Sequence, residues 1–156
     1  MEENNMSSND LYKKLLARLP YAEPFLFIDT ILEIDEKKLV ASYYFDEKAF
    51  FYQGHFIHKP ITPGAIMLEC MGQVGCVLHG IYLLGLHENN HRFDPVLGLM
   101  EGNFFEPLYP NSLVTIEAEL QYLRNNYISS LAHLYDSNQQ LIAMSRIQCN
   151  FIIYDK

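Results

Sequence analysis

Two side chains near the middle of the chain have the properties needed to move protons. His55 lies in a segment rich in glycine and proline, residues 54–64, and Glu69 lies just inside the apolar stretch that follows. An apolar environment disfavours a charged carboxylate, so Glu69 is expected to hold a proton that it can give to a leaving hydroxyl group. A nearby imidazole can accept a proton. Two titratable groups in different environments are typical of acid–base catalysis.

The start of the apolar stretch supplies a third chemical group. Pro63 and Gly64 predict the first turn of a helix, where free N–H groups and the helix dipole favour negative charge. A carbonyl oxygen bound at Gly64 would be polarised while a neighbouring proton is removed. Gln73 lies one turn after Glu69 on the same helix face, so it is placed to orient the carboxyl group or to hold a water.

The remaining histidines and cysteines of this region have structural interpretations. Cys70, Cys76 and His79 fall on the apolar helix and are expected to be core residues. His87 and His91 have a spacing that binds metal on a helix, but they fall in a polar loop. We therefore expect no metal and no cofactor.

Composition narrows the classes of function. The chain has 156 residues, of which 49% are hydrophobic and 19% charged, and its net charge is −8. This composition is typical of one globular domain, and the negative charge argues against nucleic acid binding. So few charged residues indicate that some apolar surface is buried against another subunit. Three cysteines without a C-x-x-C motif, and a polar N-terminus without an apolar signal segment, predict a cytoplasmic protein.

The hydrophobic pattern predicts an α+β fold in which an antiparallel sheet surrounds one long helix. Residues 1–9 are expected to form a disordered tail and residues 10–156 a single domain. The predicted elements are a short helix at 11–19, capped by Asp10, strands at 25–34 and 39–45, the long helix from 63 to about 86, and strands at 96–105, 112–123, 127–135 and 140–153. The long helix is apolar enough to cross a membrane, but its polar side chains and four glycines favour a position inside the protein.

Several short motifs resemble those of the 3-hydroxyacyl-[acyl-carrier-protein] dehydratases of type II fatty-acid synthesis, the FabZ type. The motifs are Leu19-Pro20, Pro24 to Asp29, Gly54-His55-Phe56, Pro60 to Gly64, and Glu69 to Gln73. The spacings from His55 to Gly64 and from His55 to Glu69 match the family pattern. The resemblance covers residues 10–153 and implies the hotdog fold, an antiparallel six-stranded sheet wrapped around one central helix.

The resemblance also implies a reaction, and with it the roles of individual residues. A dehydratase (a lyase) of this family removes water from a 3-hydroxyacyl thioester on an acyl carrier protein, giving the trans-2-enoyl thioester in fatty acid biosynthesis or related lipid metabolism. His55 would take the proton from C2, Glu69 would protonate the 3-hydroxyl group, and the Gly64 N–H would hold the thioester carbonyl. The residues that would support this site are Gln73, Phe56 and Pro63, and the His55–Phe56 peptide bond would be cis.

The resemblance further implies an assembly. His55 and Glu69 would come from different subunits of a homodimer with two shared active sites. In the family such dimers often assemble further into hexamers of three dimers, and the sequence leaves open whether this chain is a dimer or a hexamer. The acyl chain would lie in an apolar tunnel along the dimer interface, and the acyl carrier protein would be the partner.

The chain departs from the family at three places. Ile57 replaces the proline that usually follows His-Phe, and residues 21–23 and 104–106 replace basic stretches. The last two changes remove positive charge that would help to dock an acidic carrier. Sequences from aryl-polyene and flexirubin pigment clusters resemble the chain more closely around residues 61–64, which favours a specialised member of the family.

Two alternative functions remain open. The first is an acyl thioesterase of the same fold, in which Glu69 activates a water for attack on the thioester carbonyl. The second is a non-catalytic subunit that binds an acyl group or its carrier protein, which the departures at Ile57 and at the basic stretches would explain. Only the thioesterase should release free acid from an acyl thioester that lacks the 3-hydroxyl group.

Overall fold

An antiparallel sheet and one long helix form the domain. The computed structural model describes residues 6–154. Within them the strands are β1 (Thr30–Ile34), β2 (Lys38–Phe45), β3 (Arg92–Phe104), β4 (Ser112–Arg124), β5 (Tyr127–Tyr135) and β6 (Leu141–Tyr154). The sheet order is β1-β2-β4-β5-β6-β3, with every neighbouring pair antiparallel. The helices are α1 (Ser8–Ala17) and α2 (Gly64–Leu83), and α2 packs across the sheet. The predicted hotdog architecture is confirmed.

Helix α2 is enclosed because apolar side chains lie all round it. Every residue from 70 to 81 is buried. A Cβ on Gly75 would lie 2.7 Å from Ser130 Oγ, and one on Gly80 would lie 2.5 Å from the Phe151 ring. Only glycine allows the sheet to approach this closely. The helix is long and apolar enough to span a bilayer, but 72% of its most apolar window is buried inside the protein, as expected for a core helix.

The first helix begins earlier than predicted. It starts at Ser8, because Ser7 rather than Asp10 provides the N-cap: Ser7 Oγ accepts a hydrogen bond from the Asp10 N–H at 3.2 Å. Ser8 and Asn9 therefore belong to the helix and not to the predicted tail. The rest of that prediction, for residues 1–5, lies outside the described residues.

Two strands differ from their predicted starts by four residues or more. Strand β1 begins at Thr30 instead of Phe25, because the backbone of Phe25 and Phe27 bonds to the Gln73 side chain instead of to a neighbouring strand. Strand β3 begins at Arg92, before the predicted start. It includes Pro95, which is tolerated because β3 is an edge strand of the sheet.

Strand β3 is an edge strand with exposed apolar side chains. In the described part of the chain β3 pairs only with β6. Val96 and Leu97 are 46% and 57% exposed on this strand. A long edge strand with exposed apolar side chains is a template for pairing with another chain, so natural proteins usually cover it.

His79 is a buried histidine of α2 with one hydrogen bond. Its Nε2 lies 2.8 Å from the Asp35 carbonyl oxygen, which only accepts hydrogen bonds, so Nε2 carries the proton. Its Nδ1 has no partner among residues 6–154. Burial lowers the pKa of His79 below its ordinary value of 6.5, although Asp35 opposes the shift. The folded protein therefore holds this ring neutral.

We expect His79 to destabilise the protein in mildly acidic solution. Its folded pKa is depressed, so below pH 6.5 the unfolded chain binds a proton that the folded chain does not. The free energy of unfolding should fall with decreasing pH by at most about 1.4 kcal/mol per pH unit, and level off below the folded pKa. Urea unfolding of wild type and His79→Gln between pH 7.5 and 5 measures this difference. Equal pH slopes for the two proteins would contradict the assignment.

Candidate active site

The loop before α2 holds His55 in a defined position. The Ile61 N–H donates to the His55 carbonyl at 2.9 Å, and His55 Nδ1 lies 2.9 Å from the Ile61 carbonyl. Thr62 anchors the same loop, because its N–H donates to the Leu108 carbonyl at 2.8 Å and its hydroxyl shares a 2.6 Å hydrogen bond with Tyr52. Backbone and side-chain hydrogen bonds therefore order this loop without a regular element.

Phe56 has the geometry that the resemblance implied. The His55–Phe56 peptide bond is cis, and the two rings stack with their centroids 4.1 Å apart. The Phe56 N–H donates to the Lys59 carbonyl at 3.1 Å. Ile57, where the family has proline, is 85% exposed. The loop is thus held by its hydrogen bonds and not by the side chain at this position.

The contact with Ile61 determines which nitrogen of His55 can act as a base. A carbonyl oxygen only accepts hydrogen bonds, so Nδ1 must carry the proton of the neutral ring. Nε2 then has the free lone pair. His55 is partly buried in a surface hollow of about 400 Å³ that Gly64 and Phe104 also line. His55 and the first residue of α2 therefore line the same hollow.

Gly64 is the first residue of α2. A Cβ at this position would lie 3.0 Å from the Phe104 ring, so a side chain here would require that ring to shift. The preceding residue, Pro63, caps the helix, and its carbonyl accepts from the Ile66 and Met67 N–H groups. The Gly64 N–H has no acceptor among residues 6–154. It is available to a ligand oxygen.

Glu69 is held by Gln73. The Gln73 Nε2 donates to Glu69 Oε1 at 3.0 Å and to the Phe25 carbonyl at 3.0 Å, and its Oε1 accepts from the Phe27 N–H at 2.9 Å. Gln73 also begins the π-helical turn Gln73–Leu78, a distortion that is frequent at functional sites. The prediction that Gln73 orients the carboxyl group is consistent with this contact, and the two bonds to the backbone were not predicted.

Within one chain, His55 and Glu69 line different hollows. His55, Phe56 and Gly64 share the hollow described above, whereas Glu69 lines a separate cavity of about 70 Å³ between α2 and strands β3 and β6. Tyr21 also lines the second cavity, and sequence reasoning did not select it. Its only signal was its position in a segment where the chain departs from the family.

The cysteines are structural in the folded chain. The Cys70 thiol donates to the Phe27 carbonyl at 3.3 Å, and the Cys76 thiol donates to the Ile147 carbonyl at 3.4 Å. Burial raises the pKa of the Cys70 thiol, which opposes a role as a nucleophile. Residues 6–154 contain no group of three or more His, Cys, Asp or Glu side chains placed to hold a metal ion.

Sequence comparison relates most of the chain to one group of enzymes. The FabA-like domain family matches residues 19–143. The chain is 33% identical over 131 residues to a 3-hydroxyacyl-[acyl-carrier-protein] dehydratase FabZ from a Hydrogenobaculum species, covering 83% of this chain and 86% of that protein. It is 27% identical over 146 residues to the FabZ dehydratase of Chlamydia pneumoniae, covering 92% of each.

Structural comparison gives the same fold at lower identity. A Streptococcus mutans protein crystallised with acetyl CoA superposes with a TM-score of 0.65 at 13% identity, covering 89% of this chain and 99% of that one. A thioesterase from Haemophilus influenzae superposes with a TM-score of 0.57 at 16% identity, covering 79% and 77%. At these identities the likeness concerns the fold alone.

Proposed function

Because the chain belongs to the FabA-like domain family, we propose that it removes water from 3-hydroxyacyl thioesters carried by an acyl carrier protein, forming the trans-2-enoyl thioester. The observation that carries the proposal is that His55 and Gly64 line the same hollow. The Ile61 carbonyl leaves His55 Nε2 as the base, in the same hollow as the free N–H at the start of α2. This arrangement suits removal of a proton beside a carbonyl group.

The first half of the reaction uses that hollow. The thioester carbonyl oxygen accepts a hydrogen bond from the Gly64 N–H, and the positive end of the α2 dipole stabilises the charge that develops on it. His55 Nε2 takes the proton from C2. The proton on Nδ1 stays bonded to the Ile61 carbonyl, which supports the imidazolium ion as it forms.

The second half of the reaction uses Glu69 as an acid. The electron pair of the broken C2–H bond forms the double bond between C2 and C3, and the C3–O bond breaks. The proton of the Glu69 carboxyl group leaves with the hydroxyl group as water. Gln73 fixes the carboxyl group through Oε1, so the second oxygen is available to the substrate. The base and the acid return to their starting states when His55 releases its proton to solvent and the Glu69 carboxylate takes one up.

His55 and Glu69 can act on the same substrate if two copies of the chain share their active sites. Val96 and Leu97 are exposed on β3, and Leu97 also lines the cavity that contains Glu69. Pairing β3 with β3 of a second copy covers this apolar edge and extends the sheet across the dimer. We propose that this brings His55 of one copy to Glu69 of the other, with the acyl chain between them. The family resemblance extends the proposal to a hexamer of three dimers.

The carrier protein approaches the His55 loop. Lys59 lies 4.6 Å above the Tyr109 ring, which keeps a positive charge beside the site despite the net charge of −8. An acidic carrier meets this charge at the entrance. We place the enzyme in the cytoplasm and in fatty acid biosynthesis or a related pathway such as polyene pigment synthesis.

The proposal is tested by the products formed from two acyl-carrier-protein thioesters, one with the 3-hydroxyl group and one without it. We expect the first to yield the enoyl thioester, detected by its absorbance, and the second to remain intact. Release of free acid from the second thioester without dehydration of the first would identify a thioesterase. Carrier binding without turnover of either would identify a non-catalytic subunit.

A further inference from the structure

Tyr21 and Glu69 line the same cavity. Its other walls include Gly72, Cys76 and Met100, so the surroundings of the carboxyl group are mostly apolar. Burial raises the pKa of Tyr21. The phenol therefore keeps its proton, and the ring forms a neutral wall of the cavity.

Tyr21 cannot easily move away, because both ends of its segment are anchored. We call residues 18–27 the strap. At one end, the Arg18 Nε donates to the Leu86 carbonyl at 2.8 Å, and the guanidinium group lies 5.0 Å from the centre of the Phe93 ring. At the other end, the Gln73 side chain makes two hydrogen bonds to the strap's backbone. Gln73 also bonds to Glu69, so the strap that carries Tyr21 and the Glu69 carboxyl group are held in fixed positions relative to each other.

The cavity is small. Its volume of about 70 Å³ is roughly half of the ~150 Å³ of an apolar cavity that binds benzene. Gly72 and Met100 pack closely in its wall, since a Cβ at residue 72 would lie 2.8 Å from Met100 Cε and would require that flexible side chain to shift. The part of the cavity that one chain encloses beside Glu69 and Tyr21 therefore has space for only a few carbons of an acyl chain.

We propose that Tyr21 sets the upper limit on acyl chain length and makes this chain selective for short 3-hydroxyacyl groups. The inference rests on the proposed dehydratase function and names its substrate class. An extra methylene group at a closed apolar wall is disfavoured by roughly 10- to 200-fold, so a single ring can control this choice. Tyr21 is a specificity residue here and takes no part in proton transfer.

The test measures kcat/KM for 3-hydroxybutyryl and 3-hydroxydecanoyl thioesters of the acyl carrier protein. Wild type should prefer the four-carbon chain. Tyr21→Phe keeps the ring and should keep the preference, whereas Tyr21→Ala should reduce the ratio by roughly 10-fold or more, through faster reaction of the ten-carbon chain. Tyr21→Leu should be intermediate, and it provides a second small side chain in case the alanine variant is unstable.

The other possible outcomes distinguish failure of the inference about Tyr21 from failure of the proposed function. If Tyr21→Ala and Tyr21→Leu retain the wild-type ratio, or if wild type already prefers ten carbons, the inference about Tyr21 is wrong and the dehydratase assignment stands. If Tyr21→Phe changes the ratio as much as Tyr21→Ala, the hydroxyl group and not the ring controls the preference, which also overturns the inference. If wild type dehydrates neither thioester, the proposed function itself fails.

Discussion

Replacing His55 with alanine is expected to lower kcat/KM for dehydration by about 10²- to 10⁴-fold, the usual contribution of a general base. The substitution removes Nε2, which is the free nitrogen because Nδ1 donates to the Ile61 carbonyl. The fold should persist, since His55 is only partly buried and the neighbouring Thr62 anchors are untouched. Enoyl absorbance after mixing with a 3-hydroxyacyl thioester, at matched thermal stability, measures the loss.

His58 provides a matched control in the same loop. It is exposed, so His58→Ala changes the same residue type without removing a group from the hollow. We expect this variant to retain activity close to that of wild type. Equal losses in His55→Ala and His58→Ala would indicate damage to the loop and would remove the reason for assigning the base to His55.

Mixing two inactive variants is expected to restore activity, because each active site is proposed to combine two copies of the chain. His55→Ala retains Glu69, and Glu69→Gln retains His55. In a heterodimer of the two variants, one site contains both substitutions and the other contains neither. Random exchange makes about half of the dimers mixed, so about one quarter of wild-type activity should return. The measurement is dehydration before and after subunit exchange of the purified variants.

The same experiment contains its own control. Exchange of His55→Ala with a chain that carries both substitutions should restore nothing, because no dimer then contains an intact pair. Activity that stays at the level of the separate variants after verified exchange would show that His55 and Glu69 do not act across the interface. A glutamine at position 69 still accepts and donates hydrogen bonds, so loss of the contact with Gln73 does not explain the inactivity of that variant.

The helices and strands that could be predicted are those indicated by the pattern or composition of neighbouring residues in the sequence. Strand β5 has the predicted bounds, residues 127–135, because its hydrophobic pattern is bounded by a two-asparagine turn and a polar turn. The long helix was predicted from its continuous apolar composition, and it ends near Gly85, which has a φ of +65°. The start of β1 was not predictable in this way, because it depends on an amide from a helix far along the chain.

The features of the candidate site also divide into those that local sequence indicates and those that depend on the folded structure. His55, Gly64 and Glu69 are recognisable because the acid–base chemistry and the helix start have short, defined spacings along one segment. The protonated nitrogen of His55 was not predictable, since it depends on a carbonyl that the folded loop brings to the ring. Tyr21 was not selected either, because nothing local indicates that the strap passes over the cavity of Glu69.

Local sequence thus accounts for the type of chemistry, and the tertiary structure decides how that chemistry is arranged. Residue types and spacings indicate the proposed base, acid and oxyanion site because each of these roles needs one functional group in one local environment. The size of the cavity, the partners of Gln73 and the exposed edge of β3 depend on contacts between residues distant in sequence. Packing of α2 against the sheet creates those contacts, so only the folded chain places His55 and Glu69 in different hollows and leaves apolar side chains of β3 exposed.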